Sequence, residues 1–194
     1  MGLSFHYKGA LKEPQSLKKL IEEVTDISRA NQWKFHVFEE EFPNDTFTVD
    51  TCNDSIYGIC FTPPESETVC LTFLSNGKMC AFYNLELSKN PGNELDDNYL
   101  SVKTQFAGPA IHIQIIKIFD YLNKKYFENF DLTDEGNYWE TKNRQLLEDT
   151  FAKYTNLIDG FVSLLETIPI GENESIEDYL IRIAETVHKK NNGK

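Results

Sequence analysis

The stretch Asp131-Leu-Thr-Asp-Glu-Gly-Asn-Tyr-Trp-Glu140 holds the densest set of side chains able to do chemistry. Asp134, Glu135 and Glu140 have the types required of paired carboxylates, one giving a proton and another taking it. Such work needs a shifted pKa and a partner within hydrogen-bond reach. Tyr138 and Trp139 add aromatic faces suited to a sugar or a cationic peptide. Calcium does not fit. With Asp131 at loop position one and Gly136 at six, position three is Thr133 and the chelating acid due at twelve is Lys142. A structural reading competes with all of these and is preferred: the acids cap the following helix, and Trp139 anchors the loop to a core.

A second candidate is the run Lys103-Thr-Gln-Phe-Ala-Gly-Pro109, which leads into a helix. Free N–H groups at a helix start can hold an anion, with Lys103 or His112 assisting. Neither a phosphate-binding loop nor a dinucleotide fingerprint stands there. His112, one turn into an apolar helix, reads first as a satisfied core histidine. His6 and His36 lie on the more polar faces of their strands, but spacing supplies no further zinc ligand. A G-x-S-x-G elbow and a Cys-plus-His context are both missing. No catalytic residue, metal or cofactor is therefore assigned. The binding candidates are Lys103, Gln105, His112, Asp134, Glu135, Tyr138, Trp139 and Glu140.

The elements that must position them follow from apolar spacing. Leu3, Phe5 and Tyr7 alternate with polar residues as in a half-buried strand. Pro14 opens a helix with an apolar stripe at Leu17, Leu20, Ile21, Val24 and Ile27. Trp33, Phe35 and Val37 restart alternation, so two strands of one sheet with a helix across it are expected. Strands are expected at Thr46 to Thr51, Ile56 to Thr62, Thr68 to Leu74 and Lys78 to Leu85. Asn76-Gly77 is read as a two-residue hairpin turn. A polar loop covers Ser88 to Asp97, and a strand runs from Tyr99 to Phe106. The helix after Gly108-Pro109 is apolar nearly all round and belongs in the core. Phe130 to Thr133 reads as a short edge strand and Asp134 to Thr141 as a loop. Leu147, Phe151, Tyr154, Ile158, Phe161, Leu165 and Ile168 form one long stripe, and Ile176, Leu180, Ile183 and Val187 another. These predict a C-terminal helical hairpin.

Composition bounds the partners. The chain has 194 residues, of which 40% are apolar, and a formal net charge of −12. That field repels phosphate backbones and anionic lipid, so nucleic acid and membranes are poor partners and a basic protein a better one. The start MGLSFHYKG lacks the basic and apolar regions of a secretory signal, and no apolar run reaches membrane-spanning length. Cytoplasmic localisation is expected. The four cysteines form no C-x-x-C pair and read as reduced, buried thiols. In the two-residue turn register, Cys70 and Cys80 point to opposite sheet faces and cannot bond.

The segments KTQFAG and DEGNYWET, with the opening GLSFHYKG and the Trp33-Lys-Phe strand, resemble stretches of bacterial proteins of unknown role. The resemblance spans most of the chain, implies a bacterial cytoplasmic protein, and carries over no site residue.

The expected fold is therefore α+β: a mostly antiparallel, hairpin-rich mixed sheet flanked by helices. One domain is expected over 1–194, a sheet-containing body at 1–142 with a helical hairpin at 143–190 packed on it. A non-enzymatic intracellular binding protein, immunity-like or regulatory, is the leading functional expectation. The alternative is a small hydrolase or sugar-active enzyme with a cleft near 134–140. A monomer or weak homodimer is expected, the latter through the helical stripe.

Overall fold

The computed structural model describes residues 2–43, 46–47, 52–85, 99–171 and 174–192. It is an α+β protein that divides into two compact units, Met1–Leu147 and Glu148–Lys194. The division falls inside a helix, a little beyond the 142/143 boundary expected from sequence.

The first unit is built on two three-stranded antiparallel sheets. In the first, β1 (Ser4–Leu11) lies between β5 (Leu100–Lys103) and β6 (Phe127–Asp134). In the second, β3 (Tyr57–Thr62) lies between β2 (Lys34–Val37) and β4 (Val69–Phe73). The expectation that the first two strands share a sheet is corrected. Both edges of β1 are taken by β5 and β6, so β2, delivered by helix α1 (Ser16–Ala30), pairs with β3 instead. His6 and His36 accordingly stand in different sheets.

The two sheets are tied together. Ala10 bridges Lys78, and the Met79 N–H donates to the Gly9 carbonyl at 2.9 Å. Tyr7, fully buried in β1, donates its hydroxyl proton to the Cys70 carbonyl at 2.7 Å and accepts from the Cys70 N–H at 3.1 Å. Burial foremost, then the nearby Cys70, pushes this phenol well above its ordinary range. It stays a neutral donor.

The Asn76-Gly77 turn forms, but with three loop residues rather than two. Leu74 donates to Lys78 and Gly77 to Leu74, while Phe73 faces Met79. Gly77 takes φ +82°, the left-handed position of a bulged hairpin loop. A Cβ there would come within 2.4 Å of the Phe47 ring. The register is therefore one residue off that of a two-residue turn, and Cys80 donates to the Thr72 carbonyl. The strand expected over Lys78 to Leu85 is reduced to this pairing and a 3-10 turn at Phe82–Asn84. Cys60 faces Cys70 across β3 and β4, and all four thiols are free. Burial, then the neighbouring Cys60, pushes the Cys70 thiol up to about 12, so it is a poor nucleophile. The expected strand over 46–51 lies largely, and the polar loop over 88–97 wholly, outside the described residues.

Helix α2 (Gly108–Tyr126) covers the first sheet. It buries Ile115, Ile116, Phe119 and Leu122 in one core with Phe5, Tyr7 and Leu132. Phe119 lies 4.6 Å from Tyr7 and 5.6 Å from Phe5 between ring centroids. These edge-on and tilted contacts suit aromatic quadrupoles. The chain passes from α2 straight into β6, which is longer than the short edge strand expected. A one-turn helix, α3 (Tyr138–Thr141), follows.

Helix α4 (Arg144–Thr167) starts in the first unit and continues into the second, which it forms with α5 (Ile176–Asn192). Tyr179 of α5 donates its hydroxyl to the carbonyls of Leu165 at 3.2 Å and Ile168 at 2.7 Å. Arg182 forks onto both Glu174 oxygens at 2.7 and 2.8 Å and reaches the Pro169 carbonyl. The first turns of α5 are thus pinned beside the end of α4.

Candidate functional site

The end of the first sheet gathers most of the sequence candidates, and pairing register explains why. Ser4 faces Lys103 on β5, and Phe5 faces Asp134 on β6. Thr104 continues the β5 edge by donating its N–H to the Leu3 carbonyl at 2.9 Å. Helix α2 begins four residues later and lays His112 across this strand end.

At the centre is a row of three side chains. The Thr104 hydroxyl lies 2.7 Å from His112 Nδ1, and His112 Nε2 lies 3.0 Å from Asp134 Oδ1. Asp134 Oδ1 also accepts the Gly136 N–H at 2.7 Å, and Oδ2 accepts those of Tyr138 at 2.7 Å and Trp139 at 3.0 Å. One carboxylate therefore closes the turn and caps α3 while facing the imidazole. As an ionised carboxylate only accepts, Nε2 carries the proton on that side. Nδ1 then either accepts from the Thr104 hydroxyl or, in the imidazolium, donates to it. In the second case the hydroxyl has the Leu3 carbonyl at 3.4 Å to turn to.

Burial alone would raise the Asp134 carboxyl. The hydrogen bond and charge of His112, helped by the Trp139 and Gly136 amides, outweigh it and hold the group below the usual carboxylate range. Gly136 is required by space: a Cβ there would meet Leu147 Cδ1 at 2.4 Å, Asp134 Oδ1 at 3.1 Å and His112 Nε2 at 3.3 Å.

Hydroxyl, imidazole and carboxylate in a row is the chemistry of an activated nucleophile. Here the row is sealed. Thr104 and His112 are 0% exposed, Asp134 is 3% exposed, and Phe5 stands edge-on to the His112 ring at 5.8 Å. The row links four segments: the β1 start, the β5 end, α2 and the β6–α3 turn.

The remaining candidates lie around this centre. Glu135 is exposed, and its Oε2 accepts the Ser4 N–H at 2.7 Å. Tyr138 and Trp139 are half-buried; the Trp139 ring stands edge-on to Phe130 at 6.1 Å, and Lys142 Nζ sits 4.4 Å over it. Glu140 points into solvent from α3. Lys103 and Gln105 are on the β5 side of β1. The Lys103 N–H donates to Glu67 Oε2 at 2.8 Å, and Gln105 Oε1 lies where a Gly2 Cβ would be. The structure thus joins His112, Asp134, Tyr138 and Trp139, with Glu135 alongside. Lys103, Gln105 and Glu140 are not drawn into that network.

Sequence reasoning missed Thr104, Gly136 and the Leu3–Ser4 backbone. Thr104 stands between two residues that were chosen, but nothing in its type or spacing pairs it with His112. Among the described residues, no cluster of three His, Cys, Asp or Glu side chains could hold a metal ion, and no helix is long and apolar enough to cross a membrane. No protein-family model, curated protein or solved structure matches the chain.

Proposed function

We propose that this protein is a non-enzymatic binding protein, of an immunity-like or regulatory kind, whose partner is a basic protein. One observation carries the reading: the Thr104–His112–Asp134 row, the best acid–base assembly in the candidate site, is buried, with His112 enclosed between the Thr104 hydroxyl and the Asp134 carboxylate. A hydrolase working from this loop would need His112 to reach substrate, and its side chain is closed to solvent. What the site offers outward is the exposed acids Glu135 and Glu140 beside half-buried Tyr138 and Trp139. Acid next to an aromatic face suits Lys and Arg side chains, and Lys142 already rests over the Trp139 ring. The net charge of −12 steers a cationic partner toward the molecule.

The test is capture on the immobilised full chain, identification of the bound protein, and titration of that purified partner at rising salt. A basic partner whose affinity falls with salt, and falls at least tenfold with Glu135→Lys plus Glu140→Lys, is the expected result. Recovery of no basic protein, or an affinity that neither salt nor the double reversal moves, overturns the reading.

A further inference from the structure

Two of the four cysteines face each other inside the second sheet. Cys60 on β3 is the register partner of Cys70 on β4. Residues directly opposite across an antiparallel pair send their side chains to the same face of the sheet. The backbone settles which kind of pair this is. The Cys70 N–H donates to the Tyr7 hydroxyl at 3.1 Å and the Cys70 carbonyl accepts from it at 2.7 Å, so both groups turn away from β3. Cys60 and Cys70 are therefore a non-hydrogen-bonded pair, the kind whose Cα atoms stand about 4.5 Å apart with the side chains closest. A disulfide spans Cα separations of about 4.4 to 6.8 Å, so the backbone is already in place for one. Register excludes Cys80 as the partner. Its N–H donates to the Thr72 carbonyl, which makes it a diagonal neighbour of Cys70 at about 7–8 Å, beyond bonding reach.

We infer that Cys60 and Cys70 are a redox modification site, at which a peroxide closes a reversible disulfide between β3 and β4. Cys60 reacts first, being 9% exposed against 3% for Cys70 and lying next to the edge strand β2, opposite exposed His36. Its sulfur attacks one oxygen of hydrogen peroxide, the O–O bond breaks, and the departing hydroxide takes the thiol proton as water. The Cys70 sulfur then attacks the resulting sulfenic acid. An S–S bond replaces the S–O bond, and the second hydroxide leaves as water with the Cys70 proton. Two thiols are oxidised by two electrons in all, and the peroxide is reduced to two waters. Burial raises both thiols and slows each step, but adjacency offsets this in the second. The cover over the pair is thin. The Phe82 backbone bonds the Cys70 thiol and its ring meets Phe38 at 5.6 Å, yet Phe82 and Tyr83 are 41% and 63% exposed. A three-residue 3-10 turn such as this opens locally more readily than the sheet beneath it. The bond locks β3 to β4 at the residue through which Tyr7 ties the two sheets.

The test is treatment of the folded full chain with millimolar hydrogen peroxide, then denaturing alkylation and intact mass. Alkylated thiols should fall from four to two with no oxygen added to the chain, and dithiothreitol should restore all four. Trypsin with a glutamate-specific protease cuts at Glu65, Glu67 and Lys78, so the peptides of Cys60 and Cys70 stay joined only through a disulfide. Cys52→Ala with Cys80→Ala leaves this pair alone and should form the same link at an unchanged rate. A chain that keeps all four thiols until urea unfolds it overturns the inference. So does a link to Cys52 or Cys80 instead, or sulfinic acid on single cysteines.

Discussion

Phe5, Tyr7, Phe61, Phe73 and Phe119 in the first unit are closed to solvent, whereas Ile158, Val162, Ile176 and Leu180 in the second remain a third or more exposed. Both regions announce themselves in sequence by equally regular apolar spacing. The difference is what the chain supplies to cover the spacing. In the first unit each apolar face meets another: α2 lies on the first sheet, α1 contacts β2 and β3, and the two sheets share Tyr7 and the Ala10–Lys78 bridge. In the second, after Phe151, the described buried apolar side chains are Leu164 and Ile183. Periodicity tells which face wants cover, not what covers it.

The comparison also extends to polar groups. The first unit seals its most reactive row, and each member has a bonded neighbour. The second keeps an ion pair, Arg182 with Glu174, at the surface. Arg182 foremost, then the Gly171 amide, brings the Glu174 carboxyl down to about 2. A buried row is costly to break, while an exposed pair contributes little.

The sharpest way to break this contrast is Asp134→Ala. It leaves His112 and the amides of Gly136, Tyr138 and Trp139 without their common acceptor in a largely buried site. Losing one partner of such a buried network costs about 3–5 kcal/mol. Urea unfolding followed through the fluorescence of Trp33 and Trp139 should show the midpoint falling at an unchanged slope. A loss under about 1 kcal/mol would mean the row is not what fastens the strand ends. Acid tests the same group. Its folded pKa lies below the unfolded value of about 3.9, so its stabilisation is complete above that value and lost as pH falls through the folded pKa. Wild-type stability should drop below about pH 4 more steeply than that of Asp134→Asn.

A smaller effect is expected from Gly136→Ala. The added methyl enters the space of Leu147 Cδ1 and crowds Asp134 Oδ1. Overpacking of this kind costs about 1–3 kcal/mol. Pairing it with Leu147→Ala sharpens the test, since the second change opens room for the first and the double variant should lose less than the sum of the two single losses. Strict additivity in a double-mutant cycle would show that the clash is not with Leu147.

Much of the α+β fold was legible in the chain because local chemistry and tertiary demand agree there. The alternation at Leu3, Phe5 and Tyr7, the stripe from Leu17 to Val24 and the apolar helix after Gly108 all sit where their patterns put them. Sheet membership was not legible. Whether β2 joins β1 depends on which edges β5 and β6 occupy, residues some ninety positions or more away. The hairpin register failed for a smaller reason: Asn-Gly serves both two-residue turns and bulged three-residue ones, and the Phe47 ring packed on Gly77 is a long-range fact. At the candidate site, Asp134 and His112 stood out by type. Thr104, which completes the row, did not, because a threonine eight residues before a histidine carries no periodic signal.

Tyr179→Phe makes the mildest of these changes and bears on the less covered unit. The hydroxyl bonds the Leu165 and Ile168 carbonyls at the end of α4. Its loss costs about 1 kcal/mol, the net worth of a typical hydrogen bond. Amide exchange at the start of α5 should then speed up about fivefold, the factor that 1 kcal/mol represents. Exchange in β1 and α2 should not change. An α5 exchange rate unmoved by the substitution would show that this hydroxyl does not fasten α5 to the end of α4, and the polar contrast between the two units would then rest on Arg182 and Glu174.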